Sequence, residues 1–117
     1  MRDFKKLRVW AKGIEVAKKT YLLTSEFPSN ERYGLISQMN RAAVSIPSNI
    51  AEGSGRRSEK EYRRFLEIAL GSAFELETQL IISKETGWSN KENIEKLLEE
   101  VTDAQRMITG FIKKLST

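Results

Sequence analysis

The sequence predicts an all-α fold: an up-down-up-down antiparallel four-helix bundle whose second helix is kinked by a proline. Three observations predict it. Apolar residues recur at spacings of three and four in four long segments, each about 20–28 residues. Short connections separate these segments, and short connections make neighbouring helices antiparallel. The 117 residues, 39% hydrophobic and 31% charged, suit one soluble domain over residues 1–117.

The first helix is predicted from about Leu7 to Glu26, because Phe27 precedes a proline and is biased away from helical angles. Two apolar rows run along this helix. The row predicted to face the core consists of Leu7, Trp10, Ala11, Ile14, Ala17 and Tyr21. The second row, at seven-residue spacing, consists of Val9, Val16 and Leu23.

The second helix is predicted from about Glu31 to Glu52, with a kink near Pro47. Proline has no N–H to donate and its ring crowds the carbonyl of Ala43, so the hydrogen-bond ladder breaks there. Apolar residues keep helical spacing on both sides, which favours one bent helix over a loop. Gly53 is expected to end the helix with a positive φ. The predicted core positions are Leu35, Ile36, Met39, Ala42, Ala43, Ile46 and Ile50.

Helices 3 and 4 each begin with the spacing of a capping box, Ser58 with Glu61 and Ser89 with Glu92. Helix 3 is expected to end at Gly87 as a left-handed residue. Its predicted core stripe is Tyr62, Phe65, Leu66, Ala69, Ala73, Leu76 and Leu80. The predicted core seam of helix 4 is Ile94, Leu97, Val101, Ala104, Ile108, Phe111 and Leu115.

Helix 3 carries a further apolar row outside its core stripe, which includes Leu70, Phe74 and Ile81. A monomeric bundle has no need of a second apolar row. We therefore assign these three residues, with Val9 and Val16 of helix 1, to a contact between subunits. The alternative is that both rows belong to wide core faces.

Three glycines lie inside the helical patterns. A glycine in a helix interior costs about 1 kcal/mol relative to alanine. Such a cost usually indicates that a neighbouring backbone approaches closely, so we expect close approaches at all three positions. They are Gly13, Gly71 and Gly110.

The sequence contains neither cysteine nor histidine, which excludes Cys or His nucleophiles, Ser-His-Asp triads and Cys/His zinc sites. We expect no enzyme activity, no cofactor and no metal. The chemistry that remains is that of Lys, Tyr or Arg side chains, or of a metal enzyme that uses carboxylates alone, with Glu52, Glu67, Glu75 or Glu77 as ligands. No apolar run approaches the length of about 20 residues that a membrane span needs, and the N-terminus lacks the apolar region of a secretory signal. The expected location is therefore the cytoplasm.

Positive charge is concentrated in two segments, on a chain whose net charge is +4. Residues 1–20 hold seven basic side chains against two acidic ones, and Arg8, Lys12 and Lys19 share one outer face of the helix. Arg56 and Arg57 lie beside the N-terminus of helix 3, where free N–H groups and the helix dipole favour a phosphate. These five residues are the predicted contacts for nucleic acid. The alternative is an ordinary solvated charged surface.

One motif is specific enough to suggest a family. The segment SIPSNIAEGSGR, preceded by FPSNERYGLISQMNRAAV and followed by EYRRFLEIALGSAFELETQL, resembles the four-helix bundle family of proteins encoded in 23S ribosomal RNA intervening sequences. The resemblance implies an up-down bundle and a ring-like homo-oligomer, with a pentamer favoured. The accessory variability protein of diversity-generating retroelements, a basic pentamer that binds a reverse transcriptase and nucleic acid, is a distant branch of that family. No enzymatic activity is established for the wider family.

Two functional interpretations follow. The first is an oligomeric, non-enzymatic module that binds RNA, or a partner that processes nucleic acid, through its basic surface. Binding would be electrostatic, because no RNA-recognition motif with paired stacking aromatics is present. The second is a protein-interaction scaffold with no nucleic-acid role, in which the acidic stretch from Glu75 to Glu100 contacts a basic partner.

Overall fold

The protein folds as four antiparallel α-helices in a computed structural model that describes residues 3–116, apart from the side chains of residues 32, 33 and 116. The helices are α1 (Arg8–Thr24), α2 (Ser37–Ser54), α3 (Glu59–Thr86) and α4 (Lys91–Ser116). Each packs against two neighbours in the cyclic order α1, α2, α3, α4, which leaves α1 and α3 on one diagonal. The bundle measures 43 × 23 × 20 Å, and the predicted four-helix fold is confirmed. None of the described helices is both long and apolar enough to cross a bilayer.

The core is built largely by the predicted stripes of α2, α3 and α4. Their central positions are fully or almost fully buried, whereas Phe65, Phe111 and Leu115 at the ends of the stripes are half-buried. Met39, Ile46, Tyr62, Leu76 and other large side chains fill the interior. At about 25 cal/mol per Å² of apolar area removed from water, these side chains dominate the stability of the fold.

The second apolar row of α1, rather than the first, forms the fully buried part of its core face, although Leu7, Trp10 and Ala17 of the first row also pack against the core while partly buried. Val9 and Val16 are 5% and 0% exposed and belong to the core, whereas Tyr21 of the predicted core row is 51% exposed. Gly13 lies on the same side as the valines and contacts Pro47 of α2, which turns that side inward. The assignment of Val9 and Val16 to a subunit contact is therefore wrong, because no surface remains on either side chain for a partner.

The second helix is continuous through Pro47, as predicted. Asn49 Nδ2 donates to the carbonyl and to the hydroxyl of Ser45, 2.8 Å each, and the Ser72 hydroxyl of α3 donates to the same hydroxyl. The backbone departs from helical angles earlier, at Gly34 (φ −104°, ψ −115°), inside a π-type turn over Arg32–Ile36. The regular helix therefore begins at Ser37, six residues later than predicted.

Two glycines of the bundle are needed for close packing rather than for unusual backbone angles. A Cβ at Gly53 would lie 2.8 Å from Phe65 Cβ, and one at Gly13 would lie 3.2–3.3 Å from three atoms of Pro47. Gly53 lies inside α2 without a positive φ, so its predicted role as a left-handed helix end is wrong. The close approach predicted at Gly13 is confirmed, whereas a Cβ added at Gly71 or Gly110 would meet no neighbouring atom within 4 Å.

The ends of α3 and α4 are capped by hydrogen bonds. Ser58 Oγ accepts from the Glu61 N–H, and Gly87 ends α3 at φ 72°, both as predicted. At α4 the cap is Asn90, whose Oδ1 accepts from the N–H groups of the second and third helical residues. Ser89, the predicted cap, instead donates its hydroxyl to Glu26 in the connection between α1 and α2.

Candidate nucleic-acid interface

The antiparallel topology brings three segments with many basic residues to one end of the bundle. This basic end consists of residues 3–8, the α2–α3 connection with the first turn of α3 (residues 52–64), and residues 111–116 at the end of α4. The rings of Tyr62 and Phe111 meet here with centroids 5.4 Å apart, which fixes α3 against α4. The three segments contain ten basic and four acidic side chains, so the end carries a net charge of +6.

Most of these cations are at the surface. The basic side chains reach the surface because the inward-facing positions of each segment are apolar and the basic residues occupy the outward-facing ones. Arg63 and Arg56 are half-buried, and the other eight are exposed. The complete set is Lys5, Lys6, Arg8, Arg56, Arg57, Lys60, Arg63, Arg64, Lys113 and Lys114.

Arg56 is held in one orientation by its neighbours. Its Nη2 lies 3.3 Å from a carboxylate oxygen of Glu52, and its guanidinium lies over the ring of Phe65 at 4.6 Å from the centroid. Arg57, in contrast, is exposed. The predicted pair of arginines therefore divides into one residue that packs on the bundle and one that extends into solvent.

The predicted basic stripe of α1 is largely neutralised by acidic residues. Lys12 Nζ lies 3.3 Å from a carboxylate oxygen of Glu100 on α4, and Lys19 contacts both Glu100 and Glu15. A hydrogen bond with the Glu100 carboxyl and another from Lys19 lower the pKa of Glu15 to about 2, and hydrogen bonds to Glu100 and Glu15 raise the pKa of Lys19. Of the stripe, only Arg8 lies at the basic end.

The aromatic rings at the basic end are engaged with protein groups. Phe4 packs edge-on against Trp10 at 5.3 Å between centroids, Tyr62 is fully buried against Phe111, and Phe65 lies under Arg56. All five rings are buried or half-buried. This end therefore presents charge rather than flat aromatic surface.

A different surface lies along the side of the bundle between α3 and α4. Phe74 and Ile81 are 50% and 47% exposed there, next to the half-buried Leu70. A groove beside Ile81 is lined on α4 by Leu98 and by acidic side chains. We call this surface the α3/α4 face; its charged residues are Glu77, Glu99 and Asp103, together with Arg106, whose Nη1 lies 3.2 Å from Asp103 Oδ1.

The carboxylates considered as metal ligands lie apart from one another. Glu52 pairs with Arg56, Glu77 accepts a hydrogen bond of 2.8 Å from Gln105, and Glu75 accepts a longer one from Gln79. Across the described part of the chain, no three acidic side chains gather as a metal site would require.

The local sequence of each segment predicts only Arg8, Arg56 and Arg57 of the basic end. Seven further cations were missed because they lie in segments up to about a hundred residues apart. The signal was present in the helix order, because an up-down bundle must place both chain ends beside the second connection. The missed residues are Lys5, Lys6, Lys60, Arg63, Arg64, Lys113 and Lys114.

Comparisons with known proteins agree with this architecture. Residues 5–110 match the family described as 23S rRNA-intervening sequence protein. A crystal structure from Bacteroides thetaiotaomicron, described as a protein of unknown function from the S23 ribosomal protein family, is 25% identical, with a TM-score of 0.81. That match covers 90% of this chain and 98% of the other, whereas no curated protein matches the sequence. Because the family match spans most of its residues, the chain belongs to the family of 23S rRNA-intervening sequence proteins.

Proposed function

We propose that this protein is a non-enzymatic, oligomeric RNA-binding module of the cytoplasm that contacts nucleic acid through its basic end. The uneven distribution of charge carries the proposal, because the basic end has a net charge of +6 while the whole chain has a net charge of only +4. Cations clustered on one surface attract phosphates and release condensed counterions on binding. The resemblance to a family whose distant branch, the accessory variability protein, binds nucleic acid favours the same interpretation.

The test compares two triple charge reversals that change the net charge equally. The first replaces Arg8, Arg57 and Arg64 of the basic end with Glu. The control replaces Lys84, Lys91 and Lys96 with Glu near the opposite end. We expect the first variant to lose RNA binding in fluorescence anisotropy at low salt, and the control to retain most of it. Equal losses would show that only net charge matters and would contradict an interface at the basic end.

We further propose that copies of the chain associate through two opposite faces of the bundle. One is the α3/α4 face. The other, which we call the α1/α2 face, lies beside the contact between α1 and α2, where the Thr24 hydroxyl donates to Asn40 Oδ1. Tyr21 lies one turn before Thr24 and Val44 one turn after Asn40, so both side chains lie on this side of the bundle. Its apolar residues are Trp10, Ile14, Tyr21 and Val44, and its charged residues are Lys18 and Arg41.

The two faces are complementary in part, since both are apolar at the centre while one carries Lys18 and Arg41 and the other carries three acidic side chains against Arg106. Different patches on opposite sides of a subunit make a heterologous contact, which closes into a ring when the rotation permits. The number of five subunits rests on the family resemblance. A stable contact of this kind buries at least about 1,000 Å² in total.

Sedimentation equilibrium of Phe74→Glu tests this association. The variant places a charge in the α3/α4 face without touching the core, so we expect a folded protein of lower mass than the wild type. Ile68→Glu is the matched control, because Ile68 is 42% exposed on the flank of α3 that faces α2. A wild-type mass near 13.4 kDa at micromolar concentration would contradict any self-association, and a dimer would contradict the ring.

A protein-interaction scaffold is the alternative function, and the α3/α4 face favours it. Its apolar centre and acidic rim suit a basic amphipathic helix of another protein. Absence of RNA binding at low salt, together with a protein partner that Phe74→Glu releases from the native assembly, would favour the scaffold over RNA binding.

A further inference from the structure

Resting on the proposed function, we infer that the guanidinium of Arg56 binds an unpaired nucleobase of RNA by stacking, while other cations of the basic end contact phosphates. The inference names the residue that contacts a base and the class of ligand, which is an unpaired nucleotide rather than a phosphate alone. It depends on how Arg56 is held on the bundle and on which side of its guanidinium a ligand can reach.

Arg56 is fixed by its backbone and by its side chain. Its N–H donates to the carbonyl of Gly53 at 3.0 Å, its Nη2 lies 3.3 Å from a carboxylate oxygen of Glu52, and its guanidinium carbon lies 4.6 Å from the ring centroid of Phe65. Gly53 itself packs closely against α3, which anchors the segment that carries Arg56. A side chain that is already held in one orientation loses little conformational freedom when a ligand binds, and this favours binding.

The contacts of Arg56 with Phe65 and Glu52 occupy one face and one edge of the guanidinium. The N–H bonds of this group lie in its plane, so Glu52 takes up an edge, whereas Phe65 lies against a face. The side chain is nevertheless 40% exposed, and this exposed surface cannot lie on the side that Phe65 covers. A ligand therefore reaches the guanidinium from the side away from the ring. RNA-binding proteins stack unpaired bases on arginine planes as well as on aromatic rings.

Arg56 differs from other cations of the basic end because it suits a base better than a phosphate. Glu52 offsets part of its charge, whereas the neighbouring Arg57 is exposed. Lys5 also lies over a ring, that of Phe4 at 6.0 Å, but an ammonium group has no plane on which a base can stack. Two adjacent residues therefore offer a flat cation for a base and an exposed cation for a nearby phosphate.

The base that stacks on Arg56 must be unpaired. A base inside a double helix is covered on both faces by its neighbours, whereas bases in single strands, loops and bulges can be splayed out onto a protein surface. Every base has a π face, so stacking of this kind tolerates different sequences. We therefore expect the protein to distinguish a strand with bases from a strand without them, rather than one sequence from another.

The experiment compares two labelled chains with the same number of phosphates, by fluorescence anisotropy with the intact protein between about 50 and 200 mM salt. One is an unstructured RNA of about ten nucleotides, a length within the range of single-strand binding sites. The other is the same chain with every base replaced by hydrogen. Arg56→Lys keeps the charge and removes the plane, and Arg57→Lys is the matched control. Circular dichroism confirms that both variants are folded.

We expect the wild type and Arg57→Lys to bind the RNA at least about threefold more tightly than the chain without bases, since a cation over a π face changes affinity by about two- to thirtyfold. Arg56→Lys should bind both probes with the affinity that the wild type has for the chain without bases. Its slope of log K against log salt should equal that of the wild type, because no charge is lost.

Equal binding of the two probes by the wild type would overturn the inference and leave the proposed function standing. A preference for bases that persists in Arg56→Lys, or that Arg57→Lys loses equally, would overturn it as well. So would an Arg56→Lys variant that loses affinity for both probes alike, because Arg56 would then act on phosphates. Failure of both probes to bind at the lowest salt would refute the proposed function itself.

Discussion

Gly53→Ala should destabilise the protein, although alanine is the better helix former. The new methyl group would lie 2.8 Å from Phe65 Cβ and 3.0 Å from Tyr62 Cδ1. Phe65 Cβ is attached directly to the backbone of α3, so relief requires the two helices to move apart. Overpacking of this kind costs about 1–3 kcal/mol, and the helical preference of alanine returns up to about 1 kcal/mol. With the full offset, the net expected loss is up to about 2 kcal/mol, against a gain for alanine at a glycine with no close neighbour.

The chain provides matched controls for this substitution. Gly110→Ala and Gly71→Ala place the same methyl group in helix interiors where no neighbouring atom lies within 4 Å. Both variants should therefore gain about 0.5–1 kcal/mol. Gly13→Ala should fall between the two classes, because its contacts with Pro47 would be 3.2–3.3 Å.

Urea denaturation followed by circular dichroism in the far ultraviolet measures these differences. For a chain of this size, a loss of about 1 kcal/mol corresponds to a change in Tm of about 4 °C, so thermal melts provide a second measurement. A Gly53→Ala variant as stable as Gly110→Ala would refute the argument, because it would show that α2 and α3 separate without cost at this point.

Three further predictions concern the core, a helix cap and pH. Val16→Ala should cost about 2 kcal/mol in the free energy of unfolding, because a fully buried side chain is lost, whereas Tyr21→Ala should cost much less; equal losses would contradict the assignment of the two rows. Asn90→Ala should cost about 1 kcal/mol by removing the cap of α4, and Ser89→Ala should cost less in the same urea assay. Because the pKa of Glu15 is about 2 in the folded protein against 4.5 ordinarily, its ionised form stabilises the fold above pH 4.5, and this contribution is lost as the pH falls towards 2. The carboxylate is 47% exposed, so the loss should stay below about 1 kcal/mol, and Glu15→Gln should show a smaller loss of stability between about pH 5 and pH 2.

The helices and three of the four core stripes could be predicted because in α2, α3 and α4 the row with the most apolar residues at helical spacing is the one that faces inward. The first helix has two apolar rows at helical spacing, and neither periodicity nor the length of the row identifies the one that faces inward. Tertiary packing makes that choice, since Gly13 lets Pro47 come within 3.2–3.3 Å of the place that a Cβ would occupy. The contacted residue, Pro47, lies more than thirty positions further along the sequence, so the sequence around Gly13 does not reveal it.

The position of Gly53 shows a similar limit. A glycine followed by polar residues and a second glycine is typical of a helix end, and the prediction of a positive φ followed from that pattern. Helix α2 instead continues to Ser54 because Gly53 packs under α3, which the local sequence does not reveal. The pairing of Lys12 and Lys19 with Glu100 was missed for the same reason: the carboxylate lies on α4, more than eighty residues further along.

Glu100 also contributes to the alignment of α1 and α4 along their length. Its carboxylate contacts two lysines that stand seven residues apart on α1, about 10.5 Å along the helix axis, so they approach it from opposite directions. A slide of α4 by one turn, about 5.4 Å, would carry the carboxylate out of reach of one of them. The same slide would displace Lys113 and Lys114 by a full turn relative to Arg8. Together with the packing of the core, this one carboxylate therefore helps to keep the cations at the distant end of α4 level with those of α1.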